Sequence, residues 1–205
     1  MLKVGLTGGY ATGKSFVASE LERLGCYLIY ADRLGHRVLE PTGEAYGPTV
    51  DAFGPDILTP EGSIDRKKLG ALVFASPELL KVLSGFVHPA VFRLEERELA
   101  AWNADHPNGI AVIEAAILIE TGRYRVFDRL IVTACSEDTQ IARGMRRDGI
   151  TREAALARIG HQLPLEEKKK YAHHIIDTEG TKEQTAQQVK DVFNDLQRLA
   201  EVGRP

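Results

Sequence analysis

The stretch Gly8–Ser15 has the residue types and the spacing of a phosphate-binding loop. Its letters, GGYATGKS, match the pattern G-x-x-x-x-G-K-[ST] in full. In such a loop, backbone N–H groups at a helix N-terminus surround the phosphates of a nucleoside triphosphate. We expect Lys14 to reach the β- and γ-phosphates and the Ser15 hydroxyl to bind Mg²⁺. The pattern does not tell whether the phosphoryl group is transferred, hydrolysed or only sensed.

The segments on either side of the loop support this interpretation. An apolar run, Leu2–Thr7, precedes the loop, and a helical pattern over Lys14–Leu24 follows it. A working loop must join a buried strand to a helix, whereas a glycine-rich turn that binds nothing needs neither. The residues that we expect to contact the nucleotide are Gly8, Gly9, Tyr10, Ala11, Thr12, Gly13, Lys14, Ser15 and Phe16.

Three acidic residues stand where a phosphate site needs carboxylates. Asp32 ends the second apolar run, and ligands of parallel sheets bind at the carboxyl ends of strands. It could take a proton from an attacking hydroxyl, or it could be the N-cap of a helix that starts at Arg33. Glu114 follows the third run and resembles the acid that helps to hold Mg²⁺. Glu120 also flanks this run, and the alternative to a role in the site is that it is a surface or capping carboxylate.

Basic residues are concentrated late in the chain. Arg143 and Arg147 are four residues apart on a predicted helix, so both could bind the oxygens of one phosphate chain. The alternative is a solvated charged face, which is how we interpret the run Lys168–Lys170. The pair His173 and His174 opens a strand, so its side chains point to opposite faces and give little support to a metal site.

Short apolar runs alternate with amphipathic stretches, which predicts an α/β fold with a doubly wound parallel sheet of about five strands. Residues 41–107 depart from this alternation and predict a helical insert, and residues 143–171, dense in Arg and Lys, are a second departure. Both lie where small-molecule kinases of the P-loop class place their acceptor-binding region and their helical lid. We treat 1–205 as one domain, whose core comprises 1–40, 108–142 and 172–205.

Composition excludes several classes of protein. The net charge of −3 gives no general basic field for nucleic acid or an anionic membrane surface. The two cysteines, Cys26 and Cys135, are far apart and make a disulfide framework or a zinc site improbable. No apolar run reaches the length of a membrane span, and the N-terminus lacks the pattern of a secretory signal. We expect a cytoplasmic protein.

The order of motifs along nearly the whole chain resembles the dephospho-coenzyme A kinase family. The phosphate loop is shared by many families, and the distal motifs are more specific. The matching segments after the loop are Ala31-Asp32, Phe53-Gly54, Ile64–Leu69, Val73-Phe74, His88-Pro89, Ile117–Glu120, Gln140, Arg143, Arg147-Asp148 and Arg158-Ile159 with Gln162.

The resemblance implies phosphorylation of the ribose 3′-hydroxyl of dephospho-coenzyme A by ATP and Mg²⁺, the last step of coenzyme A synthesis. It implies that Asp32 is the general base and that Arg143 and Arg147 contact the triphosphate. Arg66 and His88 fall in the acceptor-binding part, and we place Glu120 with them as substrate-binding. The expected assembly is a monomer or a weak homo-oligomer.

Four positions depart from the family pattern. Ala11 stands where glycine is usual, and we expect its Cβ to require an αR or β backbone. Tyr30 replaces an acid, Ala116 replaces a proline, and Thr178 lies near the usual asparagine after the last strand. Two alternatives stay open: a kinase for another small molecule, and a nucleotide-binding regulatory module without transfer activity.

Overall fold

A parallel five-stranded sheet, in the order β2-β3-β1-β4-β5, organises the chain. The structure is a computed structural model that describes residues 1–202. Its strands are β1 (Leu2–Gly8), β2 (Tyr27–Tyr30), β3 (Ile110–Glu114), β4 (Arg129–Ala134) and β5 (His174–Asp177). Every residue of β3 is buried, as expected for a parallel strand that is covered on both faces. The predicted α/β class and the five strands are confirmed.

Helices connect and follow these strands. They are α1 (Lys14–Arg23), α2 (Ala31–Arg37), α3 (Tyr46–Phe53), α4 (Arg66–Ala75), α5 (Pro77–Asp105), α6 (Glu137–Asp148), α7 (Arg152–Gly160), α8 (Leu165–Lys169) and α9 (Lys182–Val202). Short 3₁₀ turns occupy Pro55–Ile57 and Arg123–Val126. None of the helices within residues 1–202 is both long enough and apolar enough to cross a membrane.

The chain divides into two compact units. The first comprises Met1–Ile29 and, among the described residues, Asn103 to Val202, and it contains the phosphate loop, β3 to β5 and α6 to α9. The second comprises Tyr30–Trp102. This helical unit begins and ends earlier than the insert that we predict at 41–107.

The helical unit has a hydrophobic cluster of its own. Ile57, Ile64, Leu69 and Val73 are buried together. The described residues 41–97 contain no strand, only an isolated antiparallel bridge between Leu58 and Ile64. The unit therefore buries its own apolar side chains without extending the sheet.

Register places the ends of three strands at one edge of the sheet in the first unit. Leu6 of β1 is the partner of Glu114, the last residue of β3, and Gly8 is the partner of Thr133 near the end of β4. In parallel sheets this edge, at the carboxyl ends of the strands, is where ligands bind. The phosphate loop leaves β1 at that edge.

The structure corrects one alternative for Asp32. Helix α2 begins at Ala31, and its N-cap is Tyr30, whose backbone is extended and whose side chain makes no capping hydrogen bond. Asp32 therefore lies inside the first turn, where a negative charge interacts favourably with the helix dipole. The N-cap interpretation is wrong, because the helix starts earlier than the sequence suggested.

Candidate active site

The phosphate loop joins β1 to α1 with the backbone that the motif requires. Gly13 precedes the helix in the left-handed region, with φ of 81°, and α1 begins at Lys14 without a capping side chain. The Thr12 hydroxyl donates to the Gly9 carbonyl oxygen at 2.9 Å and lies 2.7 Å from the Thr133 hydroxyl. The loop is thus held by its own contacts and by β4, and the positive end of the helix dipole faces the loop.

Two glycines of the loop lie so close to neighbouring residues that a side chain would clash with them. A Cβ on Gly8 would lie 2.2 Å from the Thr133 Oγ1 and 2.7 Å from the Thr133 carbonyl oxygen. A Cβ on Gly9 would lie 2.8 Å from the Gln140 Oε1. The first clash involves backbone that cannot move away cheaply, so Gly8 tolerates no side chain.

Ala11 contradicts the backbone that we expected for it. Its φ is 55°, the left-handed region, rather than αR or β. A Cβ in this conformation costs about 1–2 kcal/mol. The loop imposes its shape on this residue, because the next residue, Thr12, is fixed by its contacts with Gly9 and Thr133.

Lys14 and Ser15 stand at the start of α1. The Lys14 Nζ donates to the Gly9 carbonyl oxygen at 3.0 Å and reaches that of Gly8 at 3.5 Å. Ser15 is exposed in the first turn of the helix. Phe16 is half-buried, with the Lys182 ammonium 5.7 Å from its ring centre. These positions suit the phosphate and magnesium roles predicted for Lys14 and Ser15.

Arg143 is joined to the phosphate loop through Thr178. Its guanidinium donates to the Thr178 Oγ1 at 3.0 Å and to the Thr178 carbonyl oxygen at 2.5 Å. The Thr178 hydroxyl is in turn within donor distance of the carbonyl oxygens of Thr12, at 3.0 Å, and Ala134, at 3.2 Å. Thr178 therefore sets the position of Arg143 relative to the loop.

Arg147 reaches the loop by another route, through Tyr10. Its guanidinium carbon lies 5.1 Å from the centre of the Tyr10 ring. Both Arg147 and the Tyr10 hydroxyl donate to Asp148, at 2.7 and 2.5 Å, and Arg158 donates to the same carboxylate. These partners, led by the hydrogen bond from Arg147, hold the pKa of Asp148 well below its usual range. Arg143 and Arg147, although on one helix face, have separate partners.

Lys168 is not the solvated residue that we predicted. Its side chain has no exposed surface, and its ammonium bonds to the Glu120 carboxylate at 2.7 Å. It also donates to the carbonyl oxygens of Ala116 and Gly8. Lys169 and Lys170 form ion pairs with Glu166 and Glu167. The three lysines differ because only Lys168 lies on the face of α8 that packs inward.

Glu114 and the histidine pair complete the first unit. Glu114 is buried at the end of β3, 8% exposed. His173 precedes β5 and accepts a hydrogen bond at its Nδ1 from the Leu130 amide, whereas His174 is the first residue of the strand. Within residues 1–202, no three His, Cys, Asp or Glu side chains form a group that could hold a metal ion.

Three predicted site residues belong to the helical unit. Asp32 is exposed on α2, and Arg66 is exposed as the first residue of α4, after the N-cap Asp65. His88 is half-buried within α5 and stacks on Phe92, with ring centres 6.1 Å apart. Burial lowers the pKa of His88 and so favours its neutral form. The acceptor and base roles of these residues stay predictions.

Sequence reasoning missed two residues that contact the loop. Lys168 was hidden in a charged run, although it lies three residues after Leu165 and so shares its helix face. Asp148 was noted only as a part of a motif, and no sequence signal paired it with Tyr10. Contacts between positions so distant in sequence depend on how α6 and α8 return to the sheet.

A parallel sheet with a phosphate loop after its first strand and cationic side chains around that loop defines a P-loop nucleotide-binding protein. A family model described as dephospho-CoA kinase matches residues 2–184. The chain belongs to the dephospho-CoA kinase family, whose enzymes catalyse the final step of coenzyme A biosynthesis.

Relatives and solved structures agree with this membership. The chain is 44% identical over 190 residues to a dephospho-CoA kinase of Geobacter metallireducens, covering 92% of this chain and 94% of the relative. It is 42% identical over 200 residues to that of Geobacillus kaustophilus, covering 97% and 98%. The structure of TT1252 from Thermus thermophilus matches with a TM-score of 0.81 and 31% identity over 95% of this chain and 97% of that one. A dephospho-CoA kinase from Campylobacter jejuni matches with a TM-score of 0.65 and 26% identity over 96% and 98%.

Proposed function

We propose that this chain uses Lys14, Arg143 and Asp32 to move the γ-phosphoryl group of ATP to the ribose 3′-hydroxyl of dephospho-coenzyme A. The observation that carries the proposal is the phosphate loop: Gly13 is left-handed, and α1 starts at the next residue. A helix N-terminus without a capping side chain offers its N–H groups and its dipole to an anion. The family activity supplies the acceptor.

The residues at the start of α1 fit a magnesium nucleotide. Ser15, exposed in the first turn, would supply its hydroxyl to the ion, and the buried Glu114 at the end of β3 would supply a second oxygen donor. Mg²⁺ keeps several waters and is usually held by one or two protein groups plus phosphates, so no larger cluster is required. When bound, Mg²⁺ neutralises charge on the β- and γ-phosphates. Lys14 turns from the loop carbonyls to those phosphates.

Asp32 accepts the proton of the attacking hydroxyl. The 3′-oxygen forms a bond to the γ-phosphorus, the bond from that phosphorus to the bridging oxygen breaks, and ADP leaves. The Asp32 carboxylate aligns the hydroxyl before it takes the proton. Arg66 and His88 bind the acceptor in the helical unit.

Arg143 and Arg147 stabilise the negative charge that spreads over the transferring group and ADP. A guanidinium matches phosphate oxygens with two parallel donors. Arg143 is set by Thr178, so it needs little rearrangement. Arg147 is held by Asp148 and must exchange that carboxylate for phosphate oxygens. Residues 143–171 act as a lid that excludes water during transfer.

We expect the enzyme to work in the cytoplasm as a monomer or a weak homo-oligomer, without nucleic-acid or membrane partners. The net charge of −3, which gives no general basic field, supports the part of this expectation that concerns nucleic acid and anionic membranes.

The test is a coupled assay for ADP with product analysis. With ATP, Mg²⁺ and dephospho-coenzyme A, we expect ADP and coenzyme A in equal amounts. Coenzyme A offered as acceptor is the matched control, since its 3′-position already carries phosphate, and it should give only background ADP. Equal ADP rates with and without dephospho-coenzyme A, or ATP binding without product, would overturn the proposal.

A further inference from the structure

A buried lysine links the return segment of the lid to the phosphate loop. The Lys168 side chain has no exposed surface, and the pair that it forms with Glu120 leaves that carboxylate 24% exposed. A buried ammonium is costly unless it is paired and hydrogen-bonded, so the fold has a strong requirement for this contact. The phosphoryl-transfer roles proposed above do not use Lys168.

The three acceptors of Lys168 come from two separate parts of the first unit. Glu120 and the Ala116 carbonyl oxygen, at 2.7 and 2.8 Å, belong to the loop that follows β3. The Gly8 carbonyl oxygen, at 3.4 Å, belongs to the first residue of the phosphate loop. The Thr7 hydroxyl also donates to the Ala116 oxygen, at 3.2 Å. The ammonium thus lies at the point where the ends of β1 and β3 meet.

Glu120 holds the other end of the same lid segment. Its Oε1, which pairs with Lys168, also accepts a hydrogen bond from the Leu163 amide at 3.1 Å. The segment 163–168 is therefore fixed at both ends by one carboxylate oxygen. Residues of this segment and the loop residues Gly9 and Tyr10 line a cavity of about 520 Å³.

Lys14 and Lys168 share an acceptor. Both ammonium groups reach the Gly8 carbonyl oxygen, Lys14 at 3.5 Å and Lys168 at 3.4 Å. When Lys14 turns to the phosphates of ATP, Lys168 remains as a donor to that oxygen. The first peptide of the loop then keeps a partner throughout the reaction.

We infer that Lys168 and Glu120 form a positioning pair for phosphoryl transfer, which fixes the lid segment 163–168 to the strand ends and holds the Gly8 peptide in the shape that binds ATP. The pair touches neither substrate. The inference rests on the family activity, and it assigns Glu120 to positioning rather than to the acceptor site that the sequence suggested. An enzyme without the pair should bind ATP less well and lose turnover, because a displaced loop misplaces the γ-phosphoryl group.

The experiment uses the full chain with Lys168→Met, Glu120→Gln and the double variant. Lys168→Met should lower kcat about tenfold or more and raise the KM for ATP, with the KM for dephospho-coenzyme A little changed. Glu120→Gln keeps an oxygen that can accept from the Leu163 amide. It should lower kcat and raise the KM for ATP by smaller factors than Lys168→Met does. The double variant should be little worse than Lys168→Met, since both changes remove one interaction.

Lys170→Met is the matched control, because that lysine directly follows α8, is exposed and pairs with Glu167. It should keep wild-type constants. All assays are run well below each variant's Tm, so that a general loss of stability does not alter them. If Lys168→Met does not fold, Glu120→Gln is the deciding variant. A raised KM for ATP with an unchanged KM for dephospho-coenzyme A would support the inference.

Three results would overturn the inference. One is Lys168→Met with both KM values and kcat close to wild type. Another is Glu120→Gln with a raised KM for dephospho-coenzyme A alone, which would return Glu120 to the acceptor site. The third is additive losses in the double variant. Wild-type enzyme without turnover would instead count against the proposed function itself.

Discussion

The Thr178 hydroxyl lies 3.0 Å from the Thr12 carbonyl oxygen, in donor geometry, although the two residues are 166 positions apart. Thr178 follows β5, and Thr12 lies within the phosphate loop. The same hydroxyl accepts a hydrogen bond from Arg143. One small side chain therefore fixes the position of Arg143 relative to the phosphate loop.

Replacement of Thr178 by valine should weaken ATP binding. Valine keeps the shape of threonine but removes the hydroxyl, so Arg143 loses one acceptor while it keeps the Thr178 carbonyl oxygen. The loss of one hydrogen bond to a charged group is worth about 1.5–3 kcal/mol, so we expect kcat/KM for ATP to fall roughly tenfold to a hundredfold. Steady-state kinetics with ATP as the varied substrate measures the effect.

Thr121→Val is the control for that variant. The Thr121 hydroxyl donates locally to the Ile117 carbonyl oxygen at an exposed position. We expect it to leave kcat/KM for ATP unchanged. Equal losses in the two variants would mean that the position of Arg143 does not depend on Thr178.

Ala11→Gly should stabilise the protein, by about 0.5–1 kcal/mol. Glycine removes the strain of a Cβ at φ of 55°, which outweighs the entropy that it adds to the unfolded chain and the packing of one half-buried methyl. Urea unfolding measures the change. Ala142→Gly, on the exposed face of α6, should instead destabilise by about 1 kcal/mol. Two losses of equal size would contradict the strain argument.

Much of the fold follows from local patterns. The apolar run Leu2–Thr7 forms β1, Leu2–Gly8, and five strands are present as predicted, because continuous apolar runs between helical stretches have few other solutions in a parallel sheet. The phosphate loop follows from spacing alone. Ala11 was mispredicted because its backbone is set by contacts of Thr12 with Thr133, which a local rule about Cβ atoms does not include.

The site was less predictable where side chains meet across the fold. Lys168 was assigned to solvent because lysine runs are usually solvated, yet tertiary packing buries one of the three. Tyr10 was assigned only to the nucleotide, and its bond to Asp148 depends on where α6 ends. Residue types and their spacing identify the phosphate loop. Side-chain contacts between residues that are far apart in sequence can be identified only from the folded structure.

Asp32→Asn should lower kcat by about two to four orders of magnitude while ATP still binds. Asparagine is the same size but cannot take the proton of the attacking hydroxyl. The measurements are turnover with dephospho-coenzyme A and ATP affinity by calorimetry. Asp51→Asn is the control, since Asp51 is exposed on α3 of the same helical unit. Unchanged turnover in Asp32→Asn would rule out the base assignment.

Gly144→Ala should disturb the phosphate loop from the side of α6. A Cβ at this position would lie 2.4 Å from the Tyr10 Cε1, so the ring must move and its bond to Asp148 must change. We expect a higher KM for ATP and a lower Tm. Gly85→Ala, at a position on α5 with open space around the Cβ, should instead gain about 0.5–1 kcal/mol from helix propensity. A gain in stability in Gly144→Ala as well as in Gly85→Ala would show that the Tyr10 ring can move without loss of stability.

Asp148→Asn should remove a pH-dependent contribution to stability. Because the pKa of Asp148 is lowered in the folded state, chiefly by the hydrogen bond from Arg147, its carboxylate stabilises the fold at pH values above the ordinary aspartate pKa of about 4. That contribution is lost as the pH falls toward the folded pKa. The wild type should therefore have the higher Tm at pH 7, and the difference from Asp148→Asn should shrink between pH 5 and pH 3. Asp138→Asn serves as the control, since the Asp138 carboxylate is 95% exposed and lies 3.9 Å from Arg152. A Tm difference for Asp148→Asn that stays constant from pH 7 to pH 3 would mean that the charge of Asp148 does not hold Tyr10, Arg147 and Arg158 together.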